Sequence, residues 1–265
     1  MTTVCIAGAT GWVGRALVDA VRMTHDLVLA SAVSRRAAAR DLGDTVDRAP
    51  LGVPVFGTVA EALDDVDVLV DYTSHDVVRD HVLHAVRRGV HVVVGSSGLT
   101  AEDYAEVDSV AREHGVGVVA AGNFSLTAAM AQAAALLVAR HLPHWEVVDY
   151  AKADKADVPS GTARELAERL GAVRRPASPV AVDAVSGPRE ARGTTVGGGQ
   201  VHSVRLPGYV ISTEVLFGLP DERLTIRHDA GGSPTPYVEG TLLAVRAVGG
   251  RVGLTRGLDT LLLDS

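Results

Sequence analysis

The sequence predicts an α/β protein built from a doubly wound parallel sheet and a second, α+β domain with a mainly antiparallel sheet. In the first half, short apolar runs that end in small or polar residues alternate with helical patterns. A glycine-rich turn follows the first of these runs, and three β-like runs follow one another between residues 199 and 232. Alternating strands and helices favour a parallel sheet, whereas consecutive strands favour an antiparallel one.

The first element is a strand, a tight turn and a helix within "TVCIAGATGWVGRALVDAV". Gly8, Gly11 and Gly14 have the spacing G-x-x-G-x-x-G, which allows a sharp turn and a close approach of the backbone to a pyrophosphate. The helix N-terminus that follows offers N–H groups to an anion. The pattern indicates a Rossmann-like dinucleotide site, in which Trp12 and Val13 also lie in the glycine loop.

The second strand, "DLVLASAV", ends about twenty residues after the glycines, where such folds recognise the ribose. Ser34, Arg35 and Arg36 stand there in place of the carboxylate that would accept the 2′-hydroxyl of NAD. Two guanidiniums suit a 2′-phosphate, although the start of a solvated helix would look similar. We therefore expect NADPH to be preferred, with NADH possible.

Three further strands, in "VDVLVDYTS", "VHVVVGSSGLT" and "VGVVAAGNFS", complete the predicted sheet, the last being its final strand. Ligands of such sheets bind beyond the carboxyl ends of the strands. Small and polar residues at these three ends are the expected remainder of the cofactor site: Tyr72, Thr73, Gly95, Ser97, Gly122, Asn123 and Phe124.

The second half opens with a long helix, "SLTAAMAQAAALLVARHL", and a strand, "WEVVDYA". In the stretch "YAKADKADVPSGTA", Lys152 and Lys155 are the only lysines of a chain with 25 basic residues. Ser160 stands at the N-cap of the next helix, so its hydroxyl, the N–H groups of Gly161 and Thr162 and a nearby ammonium form a candidate carboxylate site. A capped helix beside a solvated charge run is the alternative.

Residues 171–200, rich in glycine and proline, are predicted to form a long loop, and "YVEGTLLAVRAVGG" predicts a helix that returns to the first domain. The predicted first domain thus comprises residues 1–123 and 237–265 and binds the dinucleotide. Residues 124–236 form the predicted domain for substrate binding and oligomerisation, with hinges near Asn123 and Pro236.

Composition narrows the class of protein. The net charge of −7 argues against binding to nucleic acid or to an anionic membrane, and no apolar run approaches the length of a membrane span. The single cysteine, Cys5, fits a reducing cytoplasm. His81 with His84, and His141 with His144, have a spacing that could bind a metal, but no carboxylate or cysteine partner stands out, so no metal is expected.

The motifs "GATGWVG", "VDYTS", "VVVGSSGLT", "AGNFS", "KADVPSGTA" and "VHSVRLPGYVISTEVLFG", in this order, resemble the dihydrodipicolinate reductase family. The resemblance covers nearly the whole chain and implies reduction of a cyclic imine-type dicarboxylate by NADPH or NADH in lysine and diaminopimelate biosynthesis. It implies a role in substrate binding or catalysis for Lys155, a carboxylate site at Ser160, Gly161 and Thr162, and a homotetramer.

The resemblance fails at the start of the lysine motif, where the family has two adjacent histidines and this chain has Ala151 and Lys152. Alanine cannot donate a proton, so a proton donor must be water, Tyr150 or a lysine. Further departures are Asp229 after His228, and "GGSPTP" in place of an "SSR"-like turn.

These departures leave three hypotheses open. The protein is a reductase of the lysine pathway, a paralogue that reduces a different imine or C=C substrate, or an NADPH-binding protein without catalysis. The retained "KADVPSGT" argues against the last.

Overall fold

The computed structural model describes residues 1–46 and 48–263. The chain divides into two compact units: unit 1 comprises Met1–Leu126 and Pro234–Ser265, and unit 2 comprises Thr127–Ser233. Residues 264 and 265, at the end of the predicted first domain, lie outside the described residues.

The helices and strands follow one another along the chain: β1 (Thr2–Ala7), α1 (Trp12–Met23), β2 (Leu27–Val33), α2 (Leu42–Thr45), β3 (Val55–Phe56), α3 (Val59–Ala62), β4 (Val68–Asp71), α4 (Val78–Arg87), β5 (His91–Val94), α5 (Ala101–Glu113), β6 (Gly117–Ala120), α6 (Leu126–Ala139), β7 (Trp145–Ala151), α7 (Gly161–Val173), β8 (Thr194–Val196), β9 (Gly199–Arg205), β10 (Ile211–Leu219), β11 (Glu222–Ala230), α8 (Thr235–Val248), β12 (Gly253–Arg256) and α9 (Leu258–Leu263). Two short 3₁₀ turns, Val182–Ala184 and Arg189–Arg192, lie between α7 and β8.

Unit 1 is a parallel sheet whose strands, over the described residues, have the order β12-β6-β5-β4-β1-β2-β3. The order reverses beside β1, which pairs with β2 on one side and with β4 on the other. A parallel sheet binds ligands at such a reversal, beyond the carboxyl ends of its strands. Ala7, Asp71 and Val94 are in register there, so the loops after β1, β4 and β5 emerge side by side.

The strands of unit 1 carry near-continuous apolar runs because helices cover both faces of such a sheet. Strands β4 and β6 are buried at every position. Helices α4 and α5 contribute Val82, Val86 and Val107 to one core. The predicted doubly wound sheet is confirmed.

The prediction that β6 is the final strand is wrong. The strand β12 pairs with it in parallel, with Gly253 opposite Gly117 and Arg256 opposite Ala120. The two-residue strand β3 was also missed. Both strands are too short to show a periodicity of their own, and pairing with a neighbour defines them.

Unit 2 contains, within the described part of the chain, a mixed sheet with the order β11-β10-β7-β9-β8. Its pairs are antiparallel except β7 with β9, which α7 and the following segment connect. The predicted mainly antiparallel sheet is therefore confirmed. The predicted loop at 171–200 is only partly right, since it includes the end of α7 and all of β8.

Strand β7 has one buried and one partly exposed face. Trp145, Val147, Asp149 and Ala151 are buried, and the residues between them are not. Leu166 and Leu170 of α7, with Ala135 of α6, pack on the buried face. An aspartate among these inward positions is the exception that leads to the candidate site.

Candidate active site

The glycine loop of unit 1 has no room for side chains at two of its glycines. Gly8 has a φ of +83°, and a Cβ on it would lie 2.4 Å from the carbonyl oxygen of Tyr72. A Cβ on Gly14 would lie 2.1 Å from the carbonyl oxygen of Gly8. Gly11 precedes the first residue of α1 and makes no side-chain cap, so the N–H groups of the first turn face a backbone-lined cradle. The loop fits a pyrophosphate of a dinucleotide.

The end of β2 lies against this loop. The hydroxyls of Thr10 and Ser34 are 3.1 Å apart, and the N–H of Gly8 donates to the carbonyl of Val33. Arg35 and Arg36 follow with exposed side chains. The structure therefore brings Ser34 to the glycine loop and leaves both guanidiniums available to a phosphate.

Trp12 begins α1 with half of its surface exposed, 51%. Its ring contacts that of Tyr237 edge-on, with 5.8 Å between centroids. Val13, the next residue of the loop, is partly exposed. A large exposed aromatic ring thus stands at the entrance to the predicted phosphate site.

Asp71, fully buried at the end of β4, connects two of the predicted cofactor loops. Its Oδ1 accepts hydrogen bonds from the N–H and hydroxyl of Thr73, at 3.0 and 2.7 Å, and from the hydroxyl of Ser96 at 2.6 Å. Its Oδ2 lies 2.8 Å from Nδ1 of His81. One carboxylate therefore fixes the loop after β4 and the loop after β5.

Tyr72 supports these loops from within. Its hydroxyl lies 2.7 Å from that of Thr241, and burial raises the pKa of Tyr72 above its ordinary value. Its ring fills the space where a Cβ of Gly95 would be, since that atom would lie 2.2 Å from the ring. The hydroxyl of the phenol is thus engaged inside unit 1, by its hydrogen bond with Thr241.

The remaining predicted cofactor residues differ in exposure. Ser97 and Gly122 are exposed, whereas Asn123 and Phe124 are buried. The side chain of Asn123 accepts a hydrogen bond from the N–H of Ser125 at 2.8 Å. Asn123 and Phe124 therefore shape the turn after β6, and Ser97 and Gly122 present accessible atoms.

In unit 2, the N-terminus of α7 is fixed by a buried carboxylate. Ser160, the N-cap, donates to Asp149 from its N–H at 2.8 Å and from its hydroxyl at 2.7 Å. Gly161 and Thr162 form the first turn of the helix. The first N–H groups of a helix lack intrahelical acceptors and attract anions. The residues of the predicted carboxylate site thus form one turn that hydrogen bonds to Asp149 hold in place, called here the α7 nest (residues 160–162).

Arg205 holds the other side of Asp149. Its Nη2 lies 2.8 Å from Oδ2 of Asp149 and also donates to the carbonyl of Asp157. Both side chains are largely buried, at 14% and 0% exposure. The pair lies beneath the α7 nest and connects β7 and β9 to the loop between β7 and α7, which carries the two lysines.

The two lysines have different surroundings. The side chain of Lys155 is 23% exposed and its Nζ lies 2.7 Å from Asp157. The side chain of Lys152 is 60% exposed and its Nζ lies 3.5 Å from Asp154. A turn joins them, since the N–H of Lys155 donates to the carbonyl of Lys152. Lys155 is the more constrained of the two.

Tyr150 was expected as a possible proton donor, and the structure places it away from the α7 nest. It points to the face of the sheet opposite Asp149 and donates to Glu214 at 3.0 Å, with Arg227 over its ring. Burial and Glu214 raise the pKa of Tyr150, which makes it a weaker acid than an exposed tyrosine. The alternation of β7 gives the reason, because neighbouring residues on a strand face opposite sides.

Comparison with known proteins gives the family. Profiles of "Dihydrodipicolinate reductase, N-terminus" and "Dihydrodipicolinate reductase, C-terminus" match residues 2–124 and 122–262. The 4-hydroxy-tetrahydrodipicolinate reductase of Thermosynechococcus vestitus is 35% identical over 267 residues, which are 98% of this chain and 96% of that protein. The enzyme of the same name from Synechococcus elongatus is 37% identical over 270 residues, with 98% of each chain covered.

The chain belongs to the dihydrodipicolinate reductase family. A solved structure, the dipicolinate-bound dihydrodipicolinate reductase from Paenisporosarcina sp. TG-14, has a TM-score of 0.75 at 28% identity and covers 98% of this chain and 99% of its own. Like its family, the protein is an NAD(P)H-dependent oxidoreductase.

Two residues of this dihydrodipicolinate reductase family member, Asp149 and Arg205, escaped the sequence analysis as functional positions. Asp71, at the end of "VDVLVD", was expected at the ligand-binding edge of the sheet, but no role was assigned to it. The available signal was a charged residue at an inward-facing strand position, since such charges are rarely buried without a partner.

No described helix is long and apolar enough to cross a membrane. Two of the histidines considered as metal ligands make other contacts. Nδ1 of His81 lies 2.8 Å from the carboxylate of Asp71, and Nδ1 of His144 lies 2.8 Å from the carbonyl of Ala177. The expected absence of a metal stays a prediction.

Proposed function

We propose that the protein uses NADPH to reduce dihydrodipicolinate, the conjugated cyclic imine that forms when 4-hydroxy-tetrahydrodipicolinate, the compound in the name of its relatives, loses water. The observation that carries this proposal is the α7 nest, anchored on the buried Asp149–Arg205 pair with Lys155 in the adjoining loop. Bound NADPH supplies a hydride, and the protein must hold the acceptor and provide a proton.

The roles of the chain's own residues follow from their positions. The N–H groups at the α7 nest and the Thr162 hydroxyl bind a substrate carboxylate, and Lys155 adds positive charge beside it. In unit 1, the backbone of Gly8, Gly11 and Gly14 accommodates the pyrophosphate. Arg35 and Arg36 bind the 2′-phosphate, and the loops held by Asp71 position Gly95 and Ser97 for the nicotinamide.

Oxidation of NADPH by the purified protein, with dihydrodipicolinate generated in situ, tests the proposal, and NADH is compared in parallel. Lys155→Ala should lower kcat/KM more than Lys152→Ala, because Lys155 is the more buried lysine, and the two variants control for each other. If both variants were as active as the wild type, neither lysine would take part in substrate binding or catalysis.

A second function is favoured by Ala151, whose fully buried methyl group stands where the family carries a histidine. The protein would then reduce a different imine or C=C substrate with the same cofactor. Tight NADPH binding without turnover of dihydrodipicolinate would support this reading over the first.

We further propose a homotetramer in the cytoplasm. The face of the unit 2 sheet opposite α6 and α7 carries Leu216, which is 37% exposed and lies opposite Glu146 of β7. Light scattering on the purified protein should give the mass of four chains, and the mass of one chain would contradict the proposal.

A further inference from the structure

The reduction proposed above needs a proton donor, and two of the expected donors are poorly placed. Tyr150 faces the other side of the sheet, and the ammonium of Lys152 is exposed and lies near Asp154. Ala151 carries no acidic hydrogen. A different titratable group near the α7 nest would complete the chemistry.

His228 lies in the same row of the sheet as the anchor of the nest. Thr213 is opposite Asp149 on one side and opposite His228 on the other, so the three residues cross β7, β10 and β11 side by side. Residues in register across neighbouring strands face the same side of a sheet. His228 therefore shares the face on which Asp149 holds Ser160.

A small cavity connects His228 to the nest. Its lining includes Thr162 of the nest, Thr213, Gln132 and His228, and it has about 20 Å³ of space for a water-sized molecule. That volume accommodates about one water. The described residues provide no hydrogen-bond partner for two buried atoms of its walls, Nε2 of Gln132 and Oγ1 of Thr213. The other walls are largely apolar, as at Leu166 and Val215, so the donor and the hydroxyl that lack partners are the groups suited to bind a water in this space.

The imidazole of His228 is half-buried, and only one of its ring nitrogens makes a hydrogen bond to the described residues. Its Nε2 lies 3.0 Å from the hydroxyl of Thr127, and its Nδ1 has no partner among residues 1–46 and 48–263. Partial burial holds the pKa of His228 below its ordinary value, an effect that the neighbouring Asp229 opposes.

The charges around the ring are few. Helix α6 carries no titratable side chain, and α7 contributes Glu165 and Arg169, which lie 3.7 Å apart as an ion pair. Glu214 of β10 and Arg227 of β11 pair with each other on the opposite face, and Asp149, on the same face as His228, is paired with Arg205. A substrate carboxylate bound at the nest would thus be a dominant new charge near His228, and it would raise the pKa of the imidazole.

We propose that His228 is the catalytic proton donor of this reductase, acting through a water molecule that Gln132 and Thr213 hold in the cavity. The inference rests on the proposed function. Hydride adds to one atom of the C=C or C=N bond, and the electron pair of that bond moves to its other atom. This atom takes a proton from the water, the water takes one from the imidazolium of His228, and the imidazole recovers a proton from solvent.

His228→Gln tests the assignment, because glutamine retains hydrogen-bonding capacity toward Thr127 but cannot act as an acid. General acid catalysis contributes about 10² to 10⁴ in rate, so kcat should fall by about that factor. KM for the substrate and the affinity for NADPH should change less than threefold. The exposed His141, two residues after the end of α6, gives the matched control His141→Gln, with wild-type kcat expected.

A pH profile separates proton donation from a structural role. In the wild type, kcat should fall as pH rises past the pKa of His228, because only the imidazolium donates. The profile of His228→Gln should lose this decline, and imidazole added to the buffer should restore part of the rate. Thr213→Val should reduce kcat while retaining the decline, since it removes a partner of the water and leaves the acid.

The outcomes are distinct. If the wild type turns over dihydrodipicolinate and the kcat of His228→Gln is within threefold of the wild-type value, His228 is not the proton donor. The same holds if the two proteins have the same pH profile. In either case the proposed function stands. No wild-type turnover of dihydrodipicolinate, with NADPH still bound, overturns both. Loss of NADPH binding or of folding in His228→Gln, measured by circular dichroism, would assign the residue a structural role and overturn the inference.

Discussion

Asp149 and Arg205 form an ion pair, 2.8 Å between Oδ2 and Nη2, directly beneath the N-cap of the helix that presents the candidate carboxylate site. Both side chains are largely buried, so the removal of one leaves the charge of the other without compensation.

We expect Arg205→Met to lower the free energy of unfolding by about 3 to 5 kcal/mol, because the buried carboxylate of Asp149 loses its cation. Urea unfolding measures the change, and the exposed Arg223 provides the control Arg223→Met. The hydroxyl of Ser203 also donates to Asp149, at 3.2 Å, and a loss of less than about 1 kcal/mol would show that Ser160 and Ser203 suffice to hold this carboxylate. KM should also rise, since the nest loses its support.

Gly11→Ala should weaken NADPH binding by about tenfold with little loss of stability. The new Cβ lies 3.0 Å from the carbonyl oxygen of Gly8, a tight but tolerable contact, and it projects where the pyrophosphate must approach. Titration calorimetry measures the affinity. Gly218→Ala, at a position with open space around it, is the control and should bind NADPH normally.

The double change Arg35→Ala and Arg36→Ala should raise the Kd for NADPH by about tenfold or more, because a hydrogen bond to a charged group contributes about 1.5 to 3 kcal/mol. The Kd for NADH should stay within twofold. Arg22 is an exposed arginine at the end of α1, and Arg22→Ala tests whether the loss of any positive charge weakens cofactor binding. Equal losses for both cofactors would contradict a 2′-phosphate site.

Trp12 should report cofactor binding through its fluorescence. It is 51% exposed at the glycine loop, whereas Trp145, the other tryptophan, is 3% exposed in the core of unit 2. NADPH should quench the emission, and Trp12→Phe should abolish most of the quenching. Trp145→Phe is the matched comparison, and quenching lost only in that variant would place the cofactor elsewhere.

Cys5 should make stability fall at alkaline pH. Burial raises the pKa of its thiol from 9.0 to about 12, so the folded protein keeps a proton that the unfolded chain releases above pH 9. The stabilisation is complete below pH 9 and is lost between pH 9 and about 12, by about 1.4 kcal/mol for each pH unit.

Urea unfolding at pH 7, 9 and 10 measures this effect. Because tyrosines also titrate in this range, Cys5→Ala is the reference, and its stability should decline less steeply than that of the wild type. Parallel declines would show that the thiol does not contribute.

The sequence predicted those parts of the fold that depend on local patterns. The glycine spacing, the alternation of strands and helices, and Ser160 as an N-cap each follow from a few consecutive residues. Strand β12 could not be predicted in this way, because four residues, Gly253–Arg256, become a strand only by pairing with β6.

The site was predicted less completely than the fold. Tyr150 was assigned by its closeness in sequence to the lysines, but the period of two in β7 turns it away and turns Asp149 inward. Asp71, Asp149 and Arg205 act through partners distant in sequence, such as Ser96 and Asp157. A single sequence shows the residues of such pairs but not their contacts.

The edge position of β12 also bears on how the chain is made. Its partner β6 precedes it by more than a hundred residues, so the parallel sheet of unit 1 is incomplete until nearly the whole chain has left the ribosome. Unit 2 is one continuous segment, Thr127–Ser233, and all of its residues emerge earlier. Contacts between residues distant in sequence form slowly. Unit 2 can therefore reach its native structure before unit 1, although unit 1 contains the first residues of the chain.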